Sequence, residues 1–244
     1  MKSQLIIALD VPAASDIPPI VDELGDQVCF YKVGLELFTA EGPAALEYLR
    51  KQQKRIFLDL KLHDIPRTVA RAVGSAARHG VDLLTVHACG GPAMLAAAAE
   101  AAAESDSGAG SSPLKLLAIT VLTSLNADDL AAVGVSRDVT TQAVSLGKLA
   151  ISSGIDGLVC SPQEVAHFRQ ALQGQTPAER DRPLLVTPGI RPAGGELGDQ
   201  KRVATPAMAV QGGATHLVVG RPILQADDRR EAAEAILREM ESAL

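Results

Sequence analysis

The sequence predicts an α/β fold, a single (β/α)8 barrel of the TIM type that forms one domain over residues 1–244. Three observations carry this. Eight short runs rich in Val, Ile and Leu recur along the chain, helix-like segments lie between them, and the ends of successive runs are about 30 residues apart on average. That spacing is the length of one βα unit. The runs are continuous rather than alternating, as parallel strands covered on both faces require.

In order, the first run is Leu5–Leu9, ended by Asp10, and the second is Val28–Val33, ended by Gly34. A helix over Ala40–Lys51 then leads to the third run, Ile56–Leu60, and a helix over Thr68–Arg78 to the fourth, Leu83–Val86. Pro92–Glu104 precedes Leu116–Leu122, Thr140–Ser153 precedes Gly157–Cys160, and Pro162–Leu172 precedes Leu184–Val186. Leu217–Val219 is the eighth run, and Arg229–Glu241 the closing helix. The Gly/Ser/Ala-rich stretch Ser105–Ser112 reads as a surface loop. A doubly wound open sheet is the alternative. It normally carries a glycine-rich turn after the first strand, and ALDVPAAS at residues 8–15 offers none.

Composition excludes several function classes. A net charge of −6 with no basic block argues against a polyanion surface, and two Tyr, four Phe and no Trp argue against an aromatic platform. Nucleic acid is therefore not an expected partner. The apolar run near the N-terminus is too short for a signal peptide, and none approaches 18 residues, so a cytoplasmic protein without membrane attachment is expected. Cys29, Cys89 and Cys160 are scattered beside apolar runs and read as small buried hydrophobes in a reducing compartment. No CxxC or HExxH spacing suggests a metal.

In a barrel, chemistry gathers at the C-terminal ends of strands. There the chain places charges inside hydrophobic sequence: Asp10 after the first strand, Lys32 within the second, Asp59 and Lys61 at the end of the third. A buried charge must pair or bind something, because leaving it alone costs several kcal/mol. Residues i and i+2 share a strand face, so Asp59 and Lys61 both point into the barrel, with Asp64 in the loop beyond. A cationic lysine between carboxylates suits proton donation, whereas Schiff-base chemistry needs a neutral amine. The plainer alternative is an internal ion pair, with Asp64 as N-cap of the helix that Pro66 begins. His63 has the opposite parity and reads as a structural hydrogen-bonder, while His87 fits either the site or the core. After the seventh and eighth strands, Thr187-Pro188-Gly189-Ile190-Arg191-Pro192 and Gly220-Arg221-Pro222 supply glycines and arginines in the two loops where barrels hold phosphate. The stretch Ala193–Lys201 between them, with three glycines, reads as a lid.

With these residues together, the chain strongly resembles the orotidine 5′-phosphate decarboxylase family. The matching pieces are Ala8-Leu9-Asp10, Tyr31-Lys32-Val33-Gly34, Asp59 to Thr68, Val121 to Ser124, Thr187 to Pro192, Asp199 to Arg202 and Val218 to Pro222, in the expected order. The resemblance implies a homodimer that removes CO2 from orotidine 5′-phosphate to give UMP, in pyrimidine biosynthesis, without metal or organic cofactor. It implies that Lys61 protonates C6, that Asp59 lies against the substrate carboxylate, and that Asp64, Ile65 and Thr68 reach the neighbouring subunit's site. Asp10 and Lys32 would bind ribose hydroxyls, Thr123 and Ser124 the pyrimidine edge. Pro188 would line the substrate site, and Arg191, Gln200, Gly220 and Arg221 would hold the phosphate. Lys32, with Lys61, Asp59 and Asp64, completes the set expected to be catalytic. Two rivals are a Mg²⁺-dependent sister enzyme acting on a keto-hexulose phosphate, and a sensor of phosphate ligands. The first would need an acidic residue where Lys32 stands, and the second has no use for Lys61 between carboxylates.

Overall fold

In the computed structural model, which describes residues 3–105, 113–174, 182–192 and 204–243, eight parallel strands close on themselves in sequence order. They are β1 (Gln4–Leu9), β2 (Phe30–Gly34), β3 (Arg55–Leu62), β4 (Leu83–His87), β5 (Lys115–Ile119), β6 (Gly157–Val159), β7 (Leu184–Thr187) and β8 (His216–Val219). Closure is made by β1 against β8, from Gln4 opposite His216 to Ile7 opposite Val219. The helices are α1 (Ile17–Leu24), α2 (Leu35–Glu41), α3 (Ala44–Lys51), α4 (Pro66–Arg78), α5 (Gly91–Glu104), α6 (Ala127–Ala132), α7 (Val139–Ser152), α8 (Val165–Ala171), α9 (Pro206–Gln211), α10 (Arg221–Leu224) and α11 (Arg229–Ser242).

The continuous apolar runs are explained by two cores. Along each strand alternate side chains point inward and outward. Leu5, Ile7, Leu9, Val33, Leu58, Leu84 and Leu116 face the helices and join one large cluster with them. Ile6, Ala8, Phe30, Phe57, Leu83, Leu117, Leu184, Val186 and Val218 fill the barrel itself. The helices supply stripes to the outer cluster: Val69, Val73 and Ala76 on α4, and Ala233, Ile236 and Met240 on α11. Below the inner cluster, the Arg55 guanidinium lies 4.0 Å from the Phe30 ring centroid and bonds Asp82 and Gln4. His216 meets the same ring edge-on at 5.9 Å. The narrow β6 needs glycine at one point: a Cβ at Gly157 would sit 2.4 Å from the Leu184 carbonyl oxygen.

Three expectations are corrected. The helix over Ala40–Lys51 is two helices, α2 and α3, because Gly42 turns left-handed at φ 59 and ends α2. The fifth strand stops at Ile119 rather than Leu122, and Val121 and Leu122 line the cavity beyond its end. Only Cys160 is buried; Cys29 and Cys89 are exposed. Most of Ser105–Ser112 lies outside the described residues. No helix among the described residues is long and apolar enough to cross a membrane.

Candidate active site

The inward positions of successive strands rise from apolar to charged. On β1, Ile6 and Ala8 are followed by Asp10; on β2, Phe30 is followed by Lys32; on β3, Phe57 is followed by Asp59 and then Lys61. The charged layer opens into a cavity of about 470 Å³, floored by Ala8, Phe57, Ile119, Val159 and Val218. Four cationic side chains, Lys32, Lys61, Arg191 and Arg221, and two carboxylates, Asp10 and Asp59, line it. A chain of net charge −6 thus concentrates a positive excess in its cavity, the arrangement that draws in a small anion.

Both carboxylates are engaged. Lys61 Nζ lies 2.7 Å from Asp59 Oδ2, and Lys32 Nζ lies 2.9 Å from Asp10 Oδ1. Lys61 reaches the cavity by a route that strict two-residue alternation does not describe. Pairing of β3 with β4 runs from Phe57 opposite Leu83 to Leu58 opposite Leu84, then resumes at Leu62 opposite Val86. The extra residues bulge, and Lys61 takes a left-handed backbone with φ 50. For a residue with a side chain that conformation costs about 1–2 kcal/mol. Its backbone N–H, displaced from the ladder, donates to Thr85 Oγ1 at 2.8 Å, and the Thr85 hydroxyl donates to Asp59 Oδ1 at 2.9 Å. Thr85 was not among the expected site residues; its only mark in the sequence is a hydroxyl inside the run Leu83–Val86.

Across the cavity stand the β7 and β8 loops. Arg191 N–H bonds the Ala204 carbonyl at 3.0 Å, and Ala204 N–H bonds the Gly189 carbonyl at 3.3 Å, which pins the base of the first loop. The Arg191 guanidinium donates to the Ile190 carbonyl at 2.8 Å. Burial, and then the charge of Arg221, push Arg191 below the usual arginine range. Two guanidinium groups that oppose each other in this way form a site whose stability rises when an anion comes between them. Pro188, Gly189, Gly220 and Gln225 line the same end, Gln225 being a second residue the sequence reading did not single out.

The remaining expected residues divide. Thr123 lines the cavity, whereas Ser124 is exposed and does not line it. Asp64, Ile65 and Thr68 are exposed and also stand outside the lining, with Ile65 67% exposed. Asp64 accepts from the Ile65 N–H at 2.6 Å and makes no ion pair with Lys61 among the described residues, so within one chain the lysine pairs with one carboxylate rather than two. Nor is Asp64 the N-cap of α4; that position is Ile65, without a side-chain cap. Gln200 and the stretch at 193–201 lie outside the described residues. His63 stacks on His87 at 5.3 Å and makes no hydrogen bond among the described residues, contrary to its expected role. His87, half-buried, accepts from the Cys89 N–H at 3.4 Å; burial, then the nearby His63 and Lys61, lower its basicity.

This geometry can be set beside known proteins. Residues 3–236 match the profile of the orotidine 5′-phosphate decarboxylase / HUMPS family. The chain belongs to that family. Among similar proteins is an orotidine 5′-phosphate decarboxylase from Nostoc sp., 48% identical over 98% of this chain and 98% of its own length. Another, from Rhodopseudomonas palustris, is 46% identical over 99% of this chain and 96% of its own length. Among solved structures, orotidine 5′-phosphate decarboxylase from Lactobacillus acidophilus superposes with a TM-score of 0.84 at 40% identity, covering 98% of this chain and 99% of that one. Membership fits the closed eight-stranded barrel and gives the paired charges at its mouth a chemical context.

Proposed function

We propose that the chain is a carboxy-lyase that converts orotidine 5′-phosphate to UMP and CO2, with Lys61 delivering the proton to C6. The observation that carries this reading is the Asp59–Lys61 pair, 2.7 Å apart at one end of a cavity whose other end holds two arginines. The substrate is built to that plan, with a carboxylate on the pyrimidine and a phosphate at the far end. As the C6–carboxylate bond breaks, its electron pair stays on C6 and neutral CO2 departs. The Lys61 ammonium then transfers a proton to C6, and the neutral amine regains one from water. A fixed ammonium beside the carbon where charge develops is worth most in a preorganised site. Asp59, facing the departing carboxylate, opposes the bound substrate and is relieved once CO2 forms. Binding energy gathered at the phosphate by Arg191, Gly220 and Arg221 is available to hold the reacting end in that opposed position.

Asp10 and Lys32, already paired at 2.9 Å, present a carboxylate and an ammonium for ribose hydroxyls, and Thr123 with Pro188 borders the pyrimidine. Asp64, Ile65 and Thr68 act in the site of a second copy in a homodimer. Their support is a charged, an aliphatic and a hydroxyl side chain exposed together at the start of α4. Lys32 favours this reaction over the Mg²⁺-dependent alternative, because an ammonium facing the cavity repels a divalent cation. The test is turnover of orotidine 5′-phosphate, followed by loss of its ultraviolet absorbance with and without EDTA, for the wild type and Lys61→Ala. Wild-type turnover that persists in EDTA and falls by several orders of magnitude in the variant is expected. A variant that kept a tenth of the rate would remove Lys61 as proton donor.

A further inference from the structure

We infer that Thr85, in the middle of β4, is a positioning residue for this decarboxylation, holding Asp59 and Lys61 in place through its single hydroxyl group. The inference rests on the function proposed above. Thr85 is fully buried on the inward face of β4, opposite Leu117 of β5. A threonine hydroxyl has one proton to donate and two lone pairs to accept with. Here both capacities serve the site: the O–H donates to Asp59 Oδ1 at 2.9 Å, and the oxygen accepts the Lys61 N–H at 2.8 Å. Asp59 Oδ2 in turn takes the Lys61 ammonium at 2.7 Å. The three bonds make a ring from hydroxyl to carboxylate, carboxylate to ammonium, and lysine backbone back to hydroxyl.

Each bond in the ring removes a freedom that the chemistry cannot tolerate. The last torsion of an aspartate is broad, so an unanchored carboxylate turns easily. Anchoring Oδ1 to Thr85 fixes the plane of the carboxylate and therefore the direction in which Oδ2 meets Lys61. The β3–β4 ladder skips between Leu58 and Leu62, and the Lys61 N–H goes to the Thr85 oxygen. That contact supports a backbone with φ 50, a conformation that side-chain-bearing residues keep only when their surroundings hold it. Release on either side moves the ammonium relative to C6, and a misplacement of about 1 Å costs about 100-fold in rate.

Thr85→Val keeps the branched shape while removing the hydroxyl, and Thr85→Ser keeps the hydroxyl. Both are assayed with orotidine 5′-phosphate, and kcat is normalised to the number of UMP-binding sites so that misfolded protein does not count as lost turnover. Should Thr85→Val give no soluble protein, Thr85→Ala is read in its place. The phosphate and ribose contacts lie elsewhere, so KM and the UMP dissociation constant should stay within about twofold while kcat falls about 10- to 100-fold. Thr85→Ser should recover to within about threefold of wild type. A hydroxyl-free variant with wild-type kcat per site, or a serine variant as impaired as the valine one, overturns the role of Thr85 while leaving the proposed function intact. Failure of the wild type itself to turn over the substrate overturns both.

Discussion

Removing the Arg221 guanidinium should cost the reaction far more than it costs the barrel. The side chain stands just beyond β8, lining the cavity with Gly220 and near enough to Arg191 for its charge to be felt there. A bidentate contact to a phosphate dianion comprises two charge-assisted hydrogen bonds, each worth about 1.5–3 kcal/mol. The lower end of the summed range applies, because Arg191 stays in the cavity lining and still neutralises part of the phosphate charge when Arg221 is gone. A loss of about 3 kcal/mol corresponds to a fall of about 150-fold in kcat/KM for orotidine 5′-phosphate. The assay compares Arg221→Ala with wild type on that substrate and on orotidine, which lacks the phosphate. On orotidine the ratio should be close to one, because the missing contact was never made. Equal losses on both substrates would refute the phosphate assignment.

The other expectations concern assembly and stability. Mixing inactive Lys61→Ala and Asp64→Ala chains should give heterodimers with roughly half the wild-type activity, since one of their two sites is intact; silent heterodimers would show that each site is built from a single chain. His216 is pushed down from 6.5 to about 4, chiefly by burial and then by the charges of Arg55 and Lys115. Its neutral form is the folded form, so the unfolded chain binds the extra proton between those values. About 3 kcal/mol of stability, present above pH 6.5, should drain away as the pH falls to 4, and His216→Gln should flatten the fall in Tm that wild type shows over that range. Parallel melting curves would contradict this. Among the described residues the buried Thr187 hydroxyl has no hydrogen-bond partner, so Thr187→Val should raise stability by about 1 kcal/mol and Tm by about 2–4 °C; a lower Tm would mean that the hydroxyl is satisfied.

What the sequence revealed, and what it hid, follows from how each feature departs from its background. All eight strands were legible because burial on both faces leaves runs such as Leu5–Leu9 and Leu184–Val186 with hardly a polar residue. Against that background Lys32, Asp59 and Lys61 were conspicuous, since a charge in such a run needs a partner. Thr85 was not, because threonine suits a strand on shape alone and its hydroxyl gives no sign of which side it bonds. The bulge in β3 was hidden for a related reason: two-residue alternation put Asp59 and Lys61 on one face, and the pair does meet, but the left-handed backbone at Lys61 has no sequence signature such as glycine. α1 escaped notice because Pro18 and Pro19 look like a break, although in a first helical turn they leave no hydrogen bond unmade. Asp64 was expected beside Lys61 and stands outside the cavity lining instead, because strand alternation does not fix the direction of a side chain in the loop beyond the strand.

The packed interior of the barrel gives the cavity an apolar floor. Phe30, Phe57, Leu83 and Leu117 stack beneath it, and Arg55 with His216 closes the far end. On the proposed mechanism, nucleotide, carbon dioxide and the proton that restores Lys61 all use the charged mouth above this floor. Traffic through it is ordered by size: water and CO2 can pass a partly covered mouth that a nucleotide cannot, so covering the mouth holds the nucleotide in place without stopping the departure of gas or the return of the proton.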